Sequence, residues 1–501
     1  MQQGTGHQRY QERWQLCKLA WRTQGHQHGE KVSGRLAAKR RKRRARERGV
    51  ALILVLGAIT ILTVFLTELQ EGTSADVAAA VAERDALKAE YVARSGVNLS
   101  RLLIATEPTI RRAIAPLFMM LKRKPPQIPV WSFSDMVLGP FNDEAGAEAF
   151  SGLAGVDTST GKNLGLGGGS FVVTIVDEDS KLDLNVAARG EALTQMRFAL
   201  QLLGLIGPPQ YNELFESRDG DGQFSDRAAI CGALVDWADY DENLFGCDPT
   251  ATNASASGGE DNYYQTIGLD YLRKNAAFDS LDEVRLVRGV SDDFWATFVD
   301  PDPGDPKSRL LTVWGQGRIN VNNANAQTLW AIVCGFATDE TPLCVDPVQA
   351  QSFVMGVQLA QSLLQGAPLF TSEKDFVNVM KGKGPLGEIL VTLNVQPVTF
   401  KSEAELRKAI TTESKMFSIY VDGVVPGRGR ETRVRIHTVV DFRSAVELGE
   451  AGFSPLFGGM PQPLPGEQPA NNEAPTEATP EAIAAALASN PAGNVVYWRI
   501  E

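Results

Sequence analysis

The chain has 501 residues, 43% of them hydrophobic and 22% charged, the composition of a folded protein with two or three structural units. Its net charge of −11 is unevenly spread: residues 1–49 carry 14 Lys/Arg against three Asp/Glu, while residues 50–501 carry 35 against 57. A body that acidic repels a phosphate backbone, which argues against nucleic acid as a partner, and with His7, His26 and His28 all in the basic leader, His437 alone is left for histidine-based catalysis or zinc chemistry.

In chain order, the basic run Lys39–Arg48 precedes Val50–Leu66, an uncharged segment that nearly crosses a hydrocarbon core of ~30 Å, and Glu68 and Glu71 follow it. The positive-inside rule places the N terminus in the cytoplasm and exports everything after about residue 70. No small-residue cleavage site follows the apolar core. The helical pattern instead continues through Ser74–Val81 and Leu87, Tyr91, Ser95, Leu99 and Leu102, with no proline before Pro108. One helix from about Val50 to Leu103, on the order of 80 Å long, is predicted, apolar all round in its first third and amphipathic beyond.

Trp131–Phe150 is mixed in character, Gly165–Ser170 is a flexible turn, and Phe171–Val176 is a β-branched strand. Residues 190–400 read mainly as helices, including Glu191–Leu203, Ala228–Ala238, Ser280–Arg288, Ala326–Val333 and Val348–Leu364. Strand patterns return at Met416–Val421 and Thr432–Phe442, and His437, alternating within the latter, reads as a structural residue. Gly458–Glu481 has the composition of a disordered linker, and Asn494–Glu501 that of a terminal strand.

The chemistry-bearing segments lie in the helical region. Asp219, Asp221 and Asp226 surround two glycines in a loop that can converge oxygens on a hard cation such as Ca²⁺; an acidic solvated turn is the alternative, and Ile230 stands where an EF-hand has its last ligand. Asp236 and Asp239 lie three apart on one helical face, Asp241 and Glu242 follow, and Glu260 and Asp261 come shortly after. Such a cluster repels itself unless a cation sits within it, and the alternative is a capped helix end with solvated acids. One or two structural Ca²⁺ ions explain the clustering more economically than a glycosidase pair of acids. Beyond Cys17 in the leader, Cys231 with Cys247 and Cys334 with Cys344 are spaced as two short-loop disulfides of an exported domain, with four buried free thiols as the alternative.

Several of these segments resemble a known family. Arg48-Gly49 followed by Val50-Ala-Leu-Ile-Leu54 is similar to the class III signal of the type IV pilin-like proteins, cut by prepilin peptidase after the glycine. That family usually has Glu at the fifth mature position; Leu54 occupies it here, a departure typical of the type II secretion minor pseudopilin K. A subunit with none above it has no free N terminus for a buried carboxylate to neutralise. The leader is longer than the family's, which leaves an extended leader or a true start further along, for example at Val32 read as an alternative start, as alternatives.

Asp177–Asn185 resembles that family's "D-x-x-x-x-x-x-L-N" turn. Asp236-Trp-Ala-Asp239-Tyr-Asp241 with Gly258-Gly-Glu260-Asp261-Asn-Tyr-Tyr264 resembles its "D-W-x-D-x-D … G-x-E-D-x-Y-Y" pattern, linked there to calcium, and Tyr497-Trp498-Arg499 its C-terminal motif. Gly317–Leu329 is similar both to that family and to helix-hairpin-helix modules; its acidic or neutral flanks favour a packing role over DNA binding.

The resemblance covers most of residues 45–445 and implies an α+β, pilin-like fold with a long N-terminal transmembrane helix, an antiparallel sheet and a large inserted helical domain. The parts implied are a removed leader (1–49), a transmembrane and assembly helix (50–105), a body (106–190 and 401–446) interrupted by the insert (191–400), a linker (447–490) and a C-terminal strand (491–501). The function implied is that of a non-enzymatic tip subunit of the type II secretion pseudopilus, supporting protein secretion across the outer membrane. It would be cleaved and methylated at its N terminus, span the inner membrane lipid once, carry a periplasmic domain and bind minor pseudopilins of I, J and H type. A type IV minor pilin with an adhesive role, or a signal-anchored periplasmic enzyme using acidic residues, are the alternatives.

Overall fold

The computed structural model describes residues 37–120, 124–139, 168–216, 218, 222, 224–248, 255–364, 367–427, 430–445 and 490–501. The leader up to residue 36, Asp219, Asp221 and the linker lie outside the described residues. The chain divides into two units, Met1–Val81 and Ala82–Glu501.

Helix α1, Ala37–Met120, is 84 residues long. In the first unit it has the length and composition to cross a membrane. Its apolar side chains from Val50 to Leu66 are exposed, and its threonines are satisfied within the helix, Thr60 donating to the Gly57 carbonyl at 2.9 Å and Thr67 to Thr63 at 3.0 Å. A hydroxyl that finds its acceptor on its own helix adds no unpaired polar group to an apolar environment.

In the second unit, α1 from Ala82 onward packs on a four-stranded antiparallel sheet. Its strands are β1 (Ser170–Asp177), β2 (Met416–Pro426), β3 (Glu431–Asp441) and β4 (Asn494–Ile500), in that spatial order. Alternation along the strands sends Phe171, Val173 and Ile175, Phe417, Ile419 and Val421, and Ile436 and Val440 to one face, against Val92, Ala93, Val97 and Ile104 of α1. Trp131 closes the core, its ring 4.6 Å from Phe417. Gly423 sets the crossing: a Cβ there would lie 2.0 Å from the Ala89 carbonyl oxygen, so only glycine admits the helix backbone this close.

The helix outruns its expected end at about Leu103. It passes through Pro108 and Pro116 to Met120, although an internal proline forfeits a backbone hydrogen bond and costs about 3 kcal/mol. Tertiary contacts offset this. Ile104, Ala105 and Glu107 are buried, Arg111 bridges Glu107 at 2.6 Å and Glu413 at 2.9 Å, and Glu107 accepts from the Ile128 amide at 3.0 Å.

β1 and β2 are neighbours, yet residues 178–415 lie between them in sequence and form a separate helical core. Its main helices are α2 (Ala192–Ile206), α3 (Arg227–Ala238), α4 (Ala326–Phe336) and α5 (Pro347–Leu364), around fully buried Phe198, Leu202, Leu234, Phe336 and Phe353. The expected helix over Ser280–Arg288 is corrected to a 3₁₀ turn, Leu281–Leu286. Leu281, Val284 and Val287 recur every third residue, a spacing that aligns side chains on a 3₁₀ helix, and Val284 and Val287 are the buried ones.

The two ends of the insert are tied where they meet the sheet. Asp177 accepts from Ser414 Oγ at 2.5 Å and Asn323 Nδ2 at 2.6 Å, while Asp179 accepts from the Lys415, Met416 and Gln316 amides. Asn185 extends the same turn, donating to the Phe278 and Val313 carbonyls. The asparagines of the hairpin-like segment are spent on packing: Asn320 bonds Ser414, Asn322 exchanges bonds with Phe370, and Asn325 caps α4.

Candidate metal centre

Helix α3 begins at Asp226, whose carboxylate accepts from the Ala229 amide at 2.8 Å, a standard N-cap. It ends at Asp239, whose extended backbone stops the helix. Asp236 and Asp239 bracket Trp237, which stacks on Phe278 with centroids 6.3 Å apart and anchors the helix end in an aromatic wall with Tyr264 and Tyr271. A short hairpin, Asn243–Phe245 with Ser255–Gly259, delivers Glu260 to the same place. Cys231 and Cys247 form a disulfide with Cα atoms 5.9 Å apart and pin this hairpin to α3; Cys334 and Cys344 form a second, at 5.5 Å, after α4.

Oxygens of Asp236, Asp239 and Glu260 lie within 4.8 Å of one another, and all three residues are buried. Asp236 Oδ1 accepts from the Phe245 amide at 2.8 Å and Asp239 Oδ2 from Gln195 Nε2, on α2, at 3.0 Å. Asp239 Oδ1 and Glu260 Oε1 are buried with no hydrogen-bond partner. Arg273 reaches in, its Nε against Glu260 Oε2, its Nη1 2.7 Å from Asp261 Oδ1 and its Nη2 donating to the Asp241 carbonyl at 3.3 Å. Burial, then the neighbouring carboxylates, push Asp236 up to about 8, Asp239 to about 6 and Glu260 to about 7. A cavity of about 180 Å³ opens beside the group, lined among others by Gly232, Ala233, Trp237, Tyr264 and Arg273.

Of the acids singled out in the sequence, the structure brings Asp236, Asp239 and Glu260 together. Asp261 faces Arg273, and exposed Asp241 caps the Asn243 amide at 2.7 Å. Asp226 caps the opposite end of α3, ten residues or about 15 Å of helix from Asp236, and is exposed. Gln195 and Arg273 belong to the site and were not singled out, since neither sits in a local pattern with the acids. Three carboxylates carry up to six hard oxygens, and two of those oxygens are buried and unpartnered, a donor set that fits a divalent cation completed by carbonyl or water oxygens. At the other end of the chain, Gly49 lies in α1, and Val50 and Leu54 present exposed side chains.

No protein-family profile and no curated protein matches the chain. Among solved structures it is similar to a chain of the GspK-GspI-GspJ complex from the enterotoxigenic Escherichia coli type 2 secretion system, at 17% identity, with 55% of this chain and 75% of that chain covered and a TM-score of 0.32.

Proposed function

We propose that this chain is a non-enzymatic minor pseudopilin of K type, anchored in the inner membrane by α1 and acting in the periplasm at the tip of a type II secretion pseudopilus, in support of protein export across the outer membrane. The observation that carries this is the position of the helical block: it is inserted between adjacent strands of a sheet packed on the long N-terminal helix, so an assembly stalk and a bulky head share one chain. Leu54, uncharged where the pilin-like family has Glu, supports a terminal place in the fibre. Prepilin peptidase would cut after Gly49, and minor pseudopilins of I, J and H type would pack along α1. Ca²⁺ would be held by Asp236, Asp239 and Glu260, stiffening the head without taking part in a reaction. Crosslinking from cysteines placed on exposed α1 positions such as Leu87 tests this: single capture with the three partners, once per fibre, is expected, and capture evenly along the fibre overturns the tip assignment.

A further inference from the structure

We propose that Arg273 is the resident counter-cation of the Asp236–Asp239–Glu260 group, displaced when a divalent cation enters, so that this one side chain sets the affinity of the site. The inference rests on the metal-centre reading above and adds its regulation.

Three carboxylates within 4.8 Å, all buried, cannot remain ionised together without positive charge among them. Arg273 supplies one such charge. Its side chain is 6% exposed and it touches Glu260 and Asp261. The fit is poor in direction, however. Arg273 Nε, both oxygens of Glu260 and Asp261 Oδ1 are buried without a hydrogen bond of acceptable geometry, although the charges are in contact. A guanidinium built to hold a carboxylate does so with paired, in-plane bonds, which these two groups do not make. Asp239 Oδ1 is left with no partner at all. A dication brings twice the charge and imposes no donor directions on the oxygens, so it competes on both counts.

Displacement also needs somewhere for the guanidinium to go. The cavity of about 180 Å³ borders Arg273 itself, its floor kept open by Ala229, Gly232 and Ala233 of α3. Trp237 and Tyr264 also line it, and an arginine cation packs favourably against aromatic rings. The ion and the side chain then exchange within one enclosure, and the cost of moving Arg273 is subtracted from the binding of the ion.

The test uses the full chain in detergent, wild type and Arg273→Gln, titrated with Ca²⁺ by calorimetry and melted with chelator or with Ca²⁺. The expected result is that the variant melts lower than wild type in chelator, binds Ca²⁺ about tenfold or more tightly, and gains more in Tm from the ion. If wild type binds Ca²⁺ and the variant binds it equally or more weakly, Arg273 is not a competitor and the exchange is overturned while the metal centre stands. If neither binds Ca²⁺, the metal centre fails and the exchange with it. Should Arg273→Gln not fold, Arg273→Lys decides: a shorter, point-like cation at the same place is expected to bind Ca²⁺ a few-fold more tightly than wild type, and unchanged or weaker binding overturns the proposal.

Discussion

The carboxylate of Asp177, at the last position of β1, accepts from the side-chain amide of Asn323 at 2.6 Å, across 146 residues of sequence. With Ser414 as the third member, the contact joins the point where the helical block leaves the sheet to the point where it returns. The two ends of the block are therefore joined by a buried polar node in addition to apolar packing.

Asp177→Ala is expected to leave the Asn323 amide and the buried Ser414 hydroxyl without their acceptor, at about 2–4 kcal/mol for the buried groups left unpaired. Denaturant unfolding would measure this as a lower midpoint. Asp177→Asn keeps an acceptor oxygen and should lose about half as much; equal stability of Asp177→Ala and wild type would show that the node does not hold the block.

Much of this fold could be read in advance. β-branched composition placed β1, alternation placed β3, a strand-like run placed the first part of β2, and the helical period placed α2 to α5 with ends shifted by three residues or fewer. The misreadings are local rules overridden by tertiary contact: Pro108 does not stop α1 because Glu107 and Arg111 are locked to Glu413 and Ile128, and Leu281–Leu286 tightens to 3₁₀. At the site, Asp236, Asp239 and Glu260 were visible as a motif. Asp226 was read as an acid of the cluster, and in the structure it is instead the N-cap of α3. Arg273 and Gln195 join the site only through folding, and no sequence spacing encodes that.

Processing is predicted to depend on Gly49. A peptidase that accommodates only a small residue before Val50 should leave Gly49→Val as uncut precursor in the membrane, visible as a slower band on immunoblotting and as an absent Val50 N terminus on sequencing. Normal cleavage and secretion by the variant would remove the class III signal from the account.

Leu54→Glu is the matching test of position in the fibre. A carboxylate buried there without a partner N terminus costs several kcal/mol unless it is protonated. A tip subunit should therefore lose assembly, scored by co-purification with the other minor pseudopilins, whereas a subunit inside the fibre should accept the change.

His437 gives a pH dependence. Its ring stacks on Tyr420 at 4.1 Å and 8°, and burial lowers its pKa to about 4, with Arg309, Lys181 and Arg499 acting in the same direction and Glu178 opposing them. A histidine whose folded pKa lies below its unfolded value near 6.5 binds fewer protons folded than unfolded in that interval. Its contribution is fully present above about 6.5 and is lost as the pH falls through about 4, on the order of 3 kcal/mol in all. His437→Phe should flatten this part of the stability profile, measured as Tm from pH 8 to pH 4; an unchanged slope would assign the acid sensitivity instead to carboxylates held below their usual range, such as Glu178, where the opposing effect of burial is outweighed by the ion pair with Lys181 and by hydrogen bonds.

The calcium prediction separates two aspartates on one helix. Ion binding to the folded state alone stabilises by RT ln(1 + [L]/Kd), about 2.7 kcal/mol at one hundred times Kd, so chelator should lower the Tm of residues 82–501 and added Ca²⁺ should restore it. Asp239→Ala removes an oxygen from the converging group and should abolish most of that response. Asp226→Ala removes only the N-cap of α3 and should cost about 1 kcal/mol with or without the ion, leaving the shift between chelator and Ca²⁺ intact. Calorimetry showing a full Ca²⁺ response in Asp239→Ala, or none in wild type, would return these acids to the role of a helix end neutralised by Arg273 and by protons.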